Sequence, residues 1–242
     1  MPRPSKRMTA WALAALAAVA MPAAALAGVV VSASGPSAAQ YPVGKKIGDN
    51  DRIVLRTGDS LTVLDGKGTR VLRGAGTYTL AQQAGPSRRS TFAVLTEQRS
   101  AARVRTGAVR GEDTGAVLSP TNIWYVDISR PGKTCLASTD RVRLWRGSAE
   151  GDASYTVRGA NGGGQTIEFS DGEVLAAWDA VALPVTAGSD YRVSGPDGEG
   201  TMSFAVLPGV PEEPEDLAAE LIANGCTRQL EILSSAMMVA EG

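Results

Sequence analysis

Apolar and polar residues alternate in short runs along most of this chain, and glycine-centred breaks separate the runs. Between residues 43 and 80 the runs fall at 52–56, 60–64, 69–72 and 77–80. Ile53/Leu55, Leu61/Val63 and Val71 stand between polar neighbours, so each predicted strand turns one face toward a core. The breaks Gly48-Asp49-Asn50, Thr57-Gly58-Asp59, Asp65-Gly66-Lys67-Gly68 and Gly74-Ala75-Gly76 carry turn chemistry, and short strands joined this way predict hairpins. A further β-type run opens residues 28–40 and then loosens. Together these segments predict a small β-roll or sandwich over residues 28–81.

The strand pattern returns between residues 123 and 207, with runs at 123–128, 135–138, 142–145, 154–158, 166–169, 174–178, 182–185, 191–193 and 202–207. Asn161-Gly162-Gly163-Gly164, Asp171-Gly172 and Gly195-Pro196-Asp197-Gly198 are among the turns, and the spacing predicts an antiparallel sandwich over 121–208. Two stretches read as helical. In residues 87–105, Ser90 is a candidate N-cap, with Phe92, Leu95 and Val104 on one stripe, inside a basic helix or linker assigned to 82–120. Residues 209–242 predict a helical hairpin. Pro214 stands at the first helical position, Leu217, Ala218 and Leu221 form a stripe, and Asn224-Gly225 ends the first helix. The second helix runs over 227–238 with Leu230, Leu233 and Met237 on one side, facing a core or, with Met238 and Val239, a partner. The fold class is mainly β.

Residues 1–27 have no such alternation. Arg3, Lys6 and Arg7 precede an apolar stretch that Pro22 breaks, and Ala25-Leu26-Ala27 is a cleavage signal before Gly28. The apolar stretch is shorter than the roughly 20 residues of a spanning helix, so a cleaved export signal is expected and a retained anchor is the alternative. The expected product has no spanning segment and is periplasmic, or secreted where the source has no outer membrane. Export changes how Cys135 and Cys226 read. In an oxidising compartment an isolated pair is most simply a disulfide, with two buried thiols as the alternative.

Composition narrows the chemistry. Among the 242 residues there is no His, which removes Ser-His-Asp and Cys-His nucleophile sets and imidazole metal sites. The formal net charge of −1 gives no reason to expect a nucleic-acid partner. Asp49, Asp51, Asp59 and Asp65 fall at turns, where Asp ordinarily makes local backbone hydrogen bonds. No cofactor and no metal site is expected. Arg88, Arg89, Arg99, Arg103, Arg105 and Arg110 form a basic stretch that is either a solvated face or a contact for an anionic partner. Trp124, Trp145 and Trp178 are core residues, or anchors for a partner or a sugar where exposed. The expected function is a non-catalytic exported envelope protein that binds, senses or scaffolds, its partner an envelope protein or a glycan. The alternative is a carbohydrate-binding module or glycan hydrolase, using pairs such as Glu168/Asp171 or Glu173/Asp179.

Two segments carry resemblances. The phrases D-R-I-x-L-x-x-G-D-x-L-T-V-L-D and V-L-x-G-x-G-T-Y-T-L, within residues 43–80, resemble the FecR-like periplasmic β domain. That resemblance implies short strands repeating around glycine and a sensing role in the envelope. The phrases V-x-L-W-R, A-L-P-V-T-A-G-S-D-Y-R-V and M-S-F-A-V-L resemble immunoglobulin or fibronectin-III type domains of bacterial envelope proteins. They imply a sandwich with an early tryptophan in its core and a late strand carrying the tyrosine.

Overall fold

The computed structural model describes residues 26–81, 88–97 and 120–238. The expected signal segment up to residue 25 lies outside them, as do Arg99, Arg103, Arg105 and Arg110 of the basic stretch and Val239 at the end of the tail.

The first β unit holds β1 (Leu26–Ser34), β2 (Lys46–Gly48), β3 (Ile53–Leu55), β4 (Ser60–Asp65), β5 (Gly68–Arg73) and β6 (Gly76–Tyr78). Strands β2-β1-β4-β5 form an antiparallel sheet, and β3-β6 a second pair. The β4–β5 hairpin closes on Asp65 paired with Gly68, where the Asp65 carboxylate accepts hydrogen bonds from Lys67 N (2.8 Å) and Gly68 N (3.1 Å). Arg70 clamps the same carboxylate and donates to Leu80 O, which ties the hairpin to the end of the unit. Asp59 does comparable work at another corner. Burial would raise its carboxyl, but the backbone amides of Arg56 and Ser37 donate to it and hold it below the usual range. Gly35 approaches so closely that a Cβ there would meet Asp59 Oδ1 at 2.5 Å, with φ at +97°; only glycine fits.

The start of strand β1 is buried on both faces. Val30 joins Ile47, Ile53, Leu61 and Val63 in the core of the first unit, while Val29 and Leu64 belong to a second core on the other side. A strand covered on both sides is continuously apolar, which accounts for Val29-Val30-Val31.

The second β unit contains β7 (Tyr125–Asp127), β8 (Lys133–Leu136), β9 (Arg143–Trp145), β10 (Ala153–Gly159), β11 (Gly164–Phe169), β12 (Leu175–Ala177), β13 (Asp190–Gly195) and β14 (Gly198–Val206). A five-stranded sheet, β11-β10-β13-β14-β8, faces a three-stranded one, β12-β9-β7. Tyr155, Val157, Ile167, Phe169, Val193 and Phe204 alternate inward from the larger sheet and meet Val126, Leu144 and Trp178. The expected sandwich is present, with two pairings that are parallel, β8 with β14 and β7 with β9. The run 182–185 is not a strand. Asp179 accepts from Val181 N (2.9 Å) and Ala182 N (3.0 Å), Leu183 N bonds Asp179 O, and this turn takes the amides a ladder would need. Leu183 is buried all the same.

The helices α1 (Arg89–Thr96), α2 (Pro214–Ala223) and α3 (Thr227–Ala236) lie between the β units. Helix α1 starts at Arg89 with Arg88 as its N-cap residue and no side-chain cap, so Ser90 is inside the helix and not its cap. Phe92 and Leu95 are its buried residues, and Val104 lies outside the described residues. Helix α2 begins at Pro214 and ends as expected at Asn224-Gly225. Gly225 has φ +70°, its amide bonds Ile222 O (3.0 Å), and Cys226 N bonds Leu221 O (2.8 Å). This is a Schellman ending, and it aims Cys226 at β8. Leu217, Ala218, Leu221, Leu230, Leu233 and Met237 join Val29 and Leu64 of the first unit and Cys135 and Leu207 of the second in one core. Met237 faces this core, whereas Met238 is exposed and pairs with Thr69 as a parallel bridge.

Glu215, in the first turn of α2, makes a stability prediction. Burial pushes its carboxyl above the usual range, and Glu213 and Asp216 add to the rise. A folded-state value raised above the unfolded one disfavours the carboxylate form, so the cost is full at neutral pH and fades as pH falls through the raised value. Glu215→Gln is expected to stabilise at pH 7 by on the order of 1 kcal/mol or less, since the site is partly solvated. Urea titrations at pH 7 and pH 4 check it: the gain should shrink at pH 4, and a gain that grows there contradicts the assignment.

Candidate functional site

Trp124, Trp145 and Trp178 are all buried, so none of them meets the condition for a surface anchor. Each has a structural task. Trp124 donates its indole N–H to Thr96 O (2.7 Å), beside Asn122 Nδ2 on Glu97 O (2.7 Å) and Ile123 N on Leu95 O (3.0 Å). Residues 122–124 thereby satisfy the last carbonyls of α1, which a helix end leaves without partners. Trp178 donates to Leu183 O (2.6 Å) and packs edge-on against Tyr191 and Phe204. Trp145 sits in β9 between β7 and β12. Trp178 belongs to the core between the two sheets, and Trp145 is buried outside that cluster.

Of the basic stretch, Arg88 is half-buried, and Arg89 is exposed with its guanidinium 2.8 Å from Glu213. The carboxylates of the two pairs each make a local hydrogen bond of their own. Glu168 accepts from Ser154 Oγ (2.9 Å), Asp171 from Gly151 N (2.7 Å), Glu173 from Ser170 N (3.1 Å), and Asp179 holds the turn described above. These are turn and ladder contacts on exposed residues. Beneath them Arg146 is buried, donates to Glu173 O, Gly151 O and Ser170 O, and lies over the Phe169 ring. Among the described residues no group of three His, Cys, Asp or Glu is placed to hold a metal ion.

The most developed polar constellation lies where β7, the β7–β8 turn and α3 meet. Asp127 is buried at the end of β7, with Arg130 Nε at 3.0 Å and Arg228 Nε at 3.7 Å from its Oδ2. Burial raises the Asp127 carboxyl, and the two guanidinium groups oppose the rise without cancelling it. Next to it Gln229, also buried, accepts from Cys135 N (2.6 Å) and donates to Cys135 O (2.8 Å) and Ile123 O (2.9 Å). Its amide pairs with β8 as a neighbouring strand would. The Cys135–Cys226 disulfide lies alongside, with Cα atoms 5.8 Å apart across 91 residues of sequence. The bridge expected from the sequence is present.

Around Asp127 the surface is concave. A groove of about 630 Å³ runs between α1 and α3 with Val94, Pro120, Ile232 and Ala236 in its wall. A pocket of about 310 Å³ continues past Arg130, Lys133, Thr227 and Arg228. Asp127, Arg130, Arg228 and Gln229 carried no signal in the sequence, because neither spacing nor periodicity joins a β7 aspartate to a helix about a hundred residues later. Compared with known proteins, the chain matches no protein-family model, no curated protein and no solved structure.

Proposed function

We propose that this protein is an exported, non-catalytic binding or scaffold module of the cell envelope, built from a FecR-like first β unit and an immunoglobulin-like second one. The observation that carries the reading is the shared helical core. Residues of both β units converge on α1, α2 and α3, and the disulfide and Gln229 tie the second unit to α3. Such a body holds surfaces in fixed relation, which is what a scaffold requires, while its buried polar groups serve to hold loops and helix ends. The disulfide fits an oxidising compartment, as the expected cleavage between Ala27 and Gly28 does.

The immunoglobulin-like reading draws on strand order and on one tyrosine. The last strand, β14, lies between β13 and the early strand β8, to which it runs parallel. Tyr191, at the start of β13, donates to Pro184 O (2.8 Å) and accepts from Thr186 N (2.7 Å). A tyrosine tied back to the chain just before its strand is a hallmark of such sandwiches. The glycan-active alternative asked for exposed tryptophans beside facing carboxylates, and no observation favours it.

Two measurements test the reading. N-terminal sequencing of the envelope-fraction protein is expected to begin at Gly28; an intact Met1 in the mature product overturns cleavage. That cut removes the Leu26↔Gly48 pair at the start of β1 and keeps the pairs from Gly28 onward. If the basic stretch contacts an acidic partner, Arg99, Arg103 and Arg105 changed together to Ala should weaken association several-fold and flatten its salt dependence. Unchanged association removes that stretch from the proposal. Hydrolysis of an envelope glycan by the pure protein, abolished by one carboxylate substitution, overturns the non-catalytic reading itself.

A further inference from the structure

We propose that the groove between α1 and α3 and the cationic pocket that continues it form one site, and that its occupant is an extended peptide segment of a partner protein in which apolar side chains are followed by a carboxylate. The inference rests on the binding-module reading and supplies the chemistry of the partner.

The two concavities adjoin, since Asp127, Arg130, Arg228, Glu231 and Ile232 line both. Their ends differ in character. At the α1 end Val94 is 56% exposed, with Leu95, Ile232 and Ala236 around it. At the other end Arg130, Lys133 and Arg228 face Asp127 and Glu231, so cations are in excess. Both arginines turn Nε toward the buried Asp127. Their terminal nitrogens make no hydrogen bond or ion pair with another described residue, and neither does Lys133 Nζ. Asp127 thus orients two guanidinium forks whose outer edges remain available, and a fork of that shape matches a carboxylate. The stem of Lys133 passes 3.9 Å from the position a Cβ on Gly225 would take, over the turn into α3. The start of α3 adds to the field, since its first turn holds no acidic residue and its N-cap residue makes no side-chain cap.

Charge complementarity therefore selects an anionic end, and the apolar wall selects what precedes it. A peptide fits better than an acyl chain because Thr91, Thr121 and Ser235 also line the groove. Their hydroxyls can meet the polar backbone of a peptide, whereas a hydrocarbon chain would strip them of water without compensation.

The test uses the full exported chain and fluorescence anisotropy with fluorescein-labelled hexapeptides. One probe carries two leucines followed by glutamate and a free C-terminus; its counterpart carries glutamine and a C-terminal amide. The acidic probe is expected to bind with Kd on the order of 10–100 µM, as befits a short segment that is ordered on binding. The neutral counterpart should bind at least about tenfold more weakly. Lys133→Glu and Val94→Asp, both at exposed positions and so not expected to affect folding, should each weaken the acidic probe about five- to tenfold. Arg228→Gln should do the same, but it leaves the buried Asp127 with one cation fewer, so the two exposed substitutions decide the matter. Equal binding of both probes, no binding of either, or indifference to Lys133→Glu and Val94→Asp overturns the proposal. So does binding to phosphatidylglycerol vesicles with the same sensitivity to those substitutions, which would make the occupant a lipid. Formaldehyde crosslinking in the envelope separates this inference from the one beneath it. A partner captured equally by the wild type and by Val94→Asp leaves the module reading standing while the groove fails, and no crosslinked partner at any surface removes the module reading too.

Discussion

Replacing Cys135 and Cys226 together by alanine is expected to lower stability by about 4–5 kcal/mol. The bridge closes 91 residues of chain, and in the chain-entropy account a loop of that length restricts the unfolded ensemble by about that amount. For a protein of this size the loss corresponds to a fall in melting temperature of roughly 8–20 °C. Both sulfurs are fully buried, so a reductant reaches them only through opening of the helical layer. Melting by circular dichroism with and without dithiothreitol checks this: the reduced wild type and the double variant should melt at similar temperatures, both well below the oxidised protein. A shift under about 2 °C would show that the helices hold the second β unit without the bridge.

Gln229→Ala is expected to cost about 3–5 kcal/mol, an effect of similar size from one uncharged side chain. The amide serves three buried backbone groups, the N–H and C=O of Cys135 and the C=O of Ile123. Removing it leaves all three without that partner at a buried position, and each orphaned group costs about 1–3 kcal/mol. Gln229→Leu keeps most of the volume and should be nearly as damaging, which separates lost hydrogen bonds from lost packing. Gln229→Glu keeps an acceptor for Cys135 N but sets a carboxylate against two carbonyls, so it should be at least as costly as alanine at neutral pH. Urea denaturation at pH 7 measures all three. Because Gln229 and the disulfide both act on Cys135, Gln229→Ala combined with the double cysteine variant should lose less than the separate losses together. Strict additivity would show that the two ties act independently.

Local signals in the sequence determined a good deal. The alternation at Ile53/Leu55 and Leu61/Val63 and the turns at Asp65-Gly66 and Gly195-Pro196 placed β3, β4 and β13 to within a residue or two of where they lie, whereas β14 begins at Gly198, four residues before the expected run. Pro214 and Asn224-Gly225 marked both ends of α2, since a proline at the first helical position and a left-handed glycine after the last are set by the backbone within a few residues. The cysteine pairing was legible for a different reason: two cysteines in a chain read as exported have one intramolecular pairing open to them.

The tertiary structure decided what depends on distant parts of the chain meeting. Asp179 carried no warning that its carboxylate would turn 182–185 out of a strand, because the run itself alternates like one. No local pattern sets β8 beside β14, since a parallel pairing depends on the connection between the strands and not on the composition of either. The tryptophans were ambiguous in sequence because an aromatic ring packs equally well in a core or on a partner; carbonyls at Thr96 and Leu183, far or near in the chain, settled two of them as internal. The concave site is the extreme case. Asp127, Arg130 and Arg228 acquire meaning only when α3 folds across the end of β7, and that approach is fixed by Gln229 and Cys226, whose partner lies more than ninety residues away. Secondary structure follows from interactions within a few residues, whereas a site follows from side chains that a core holds together, and that core forms only when the whole chain has packed.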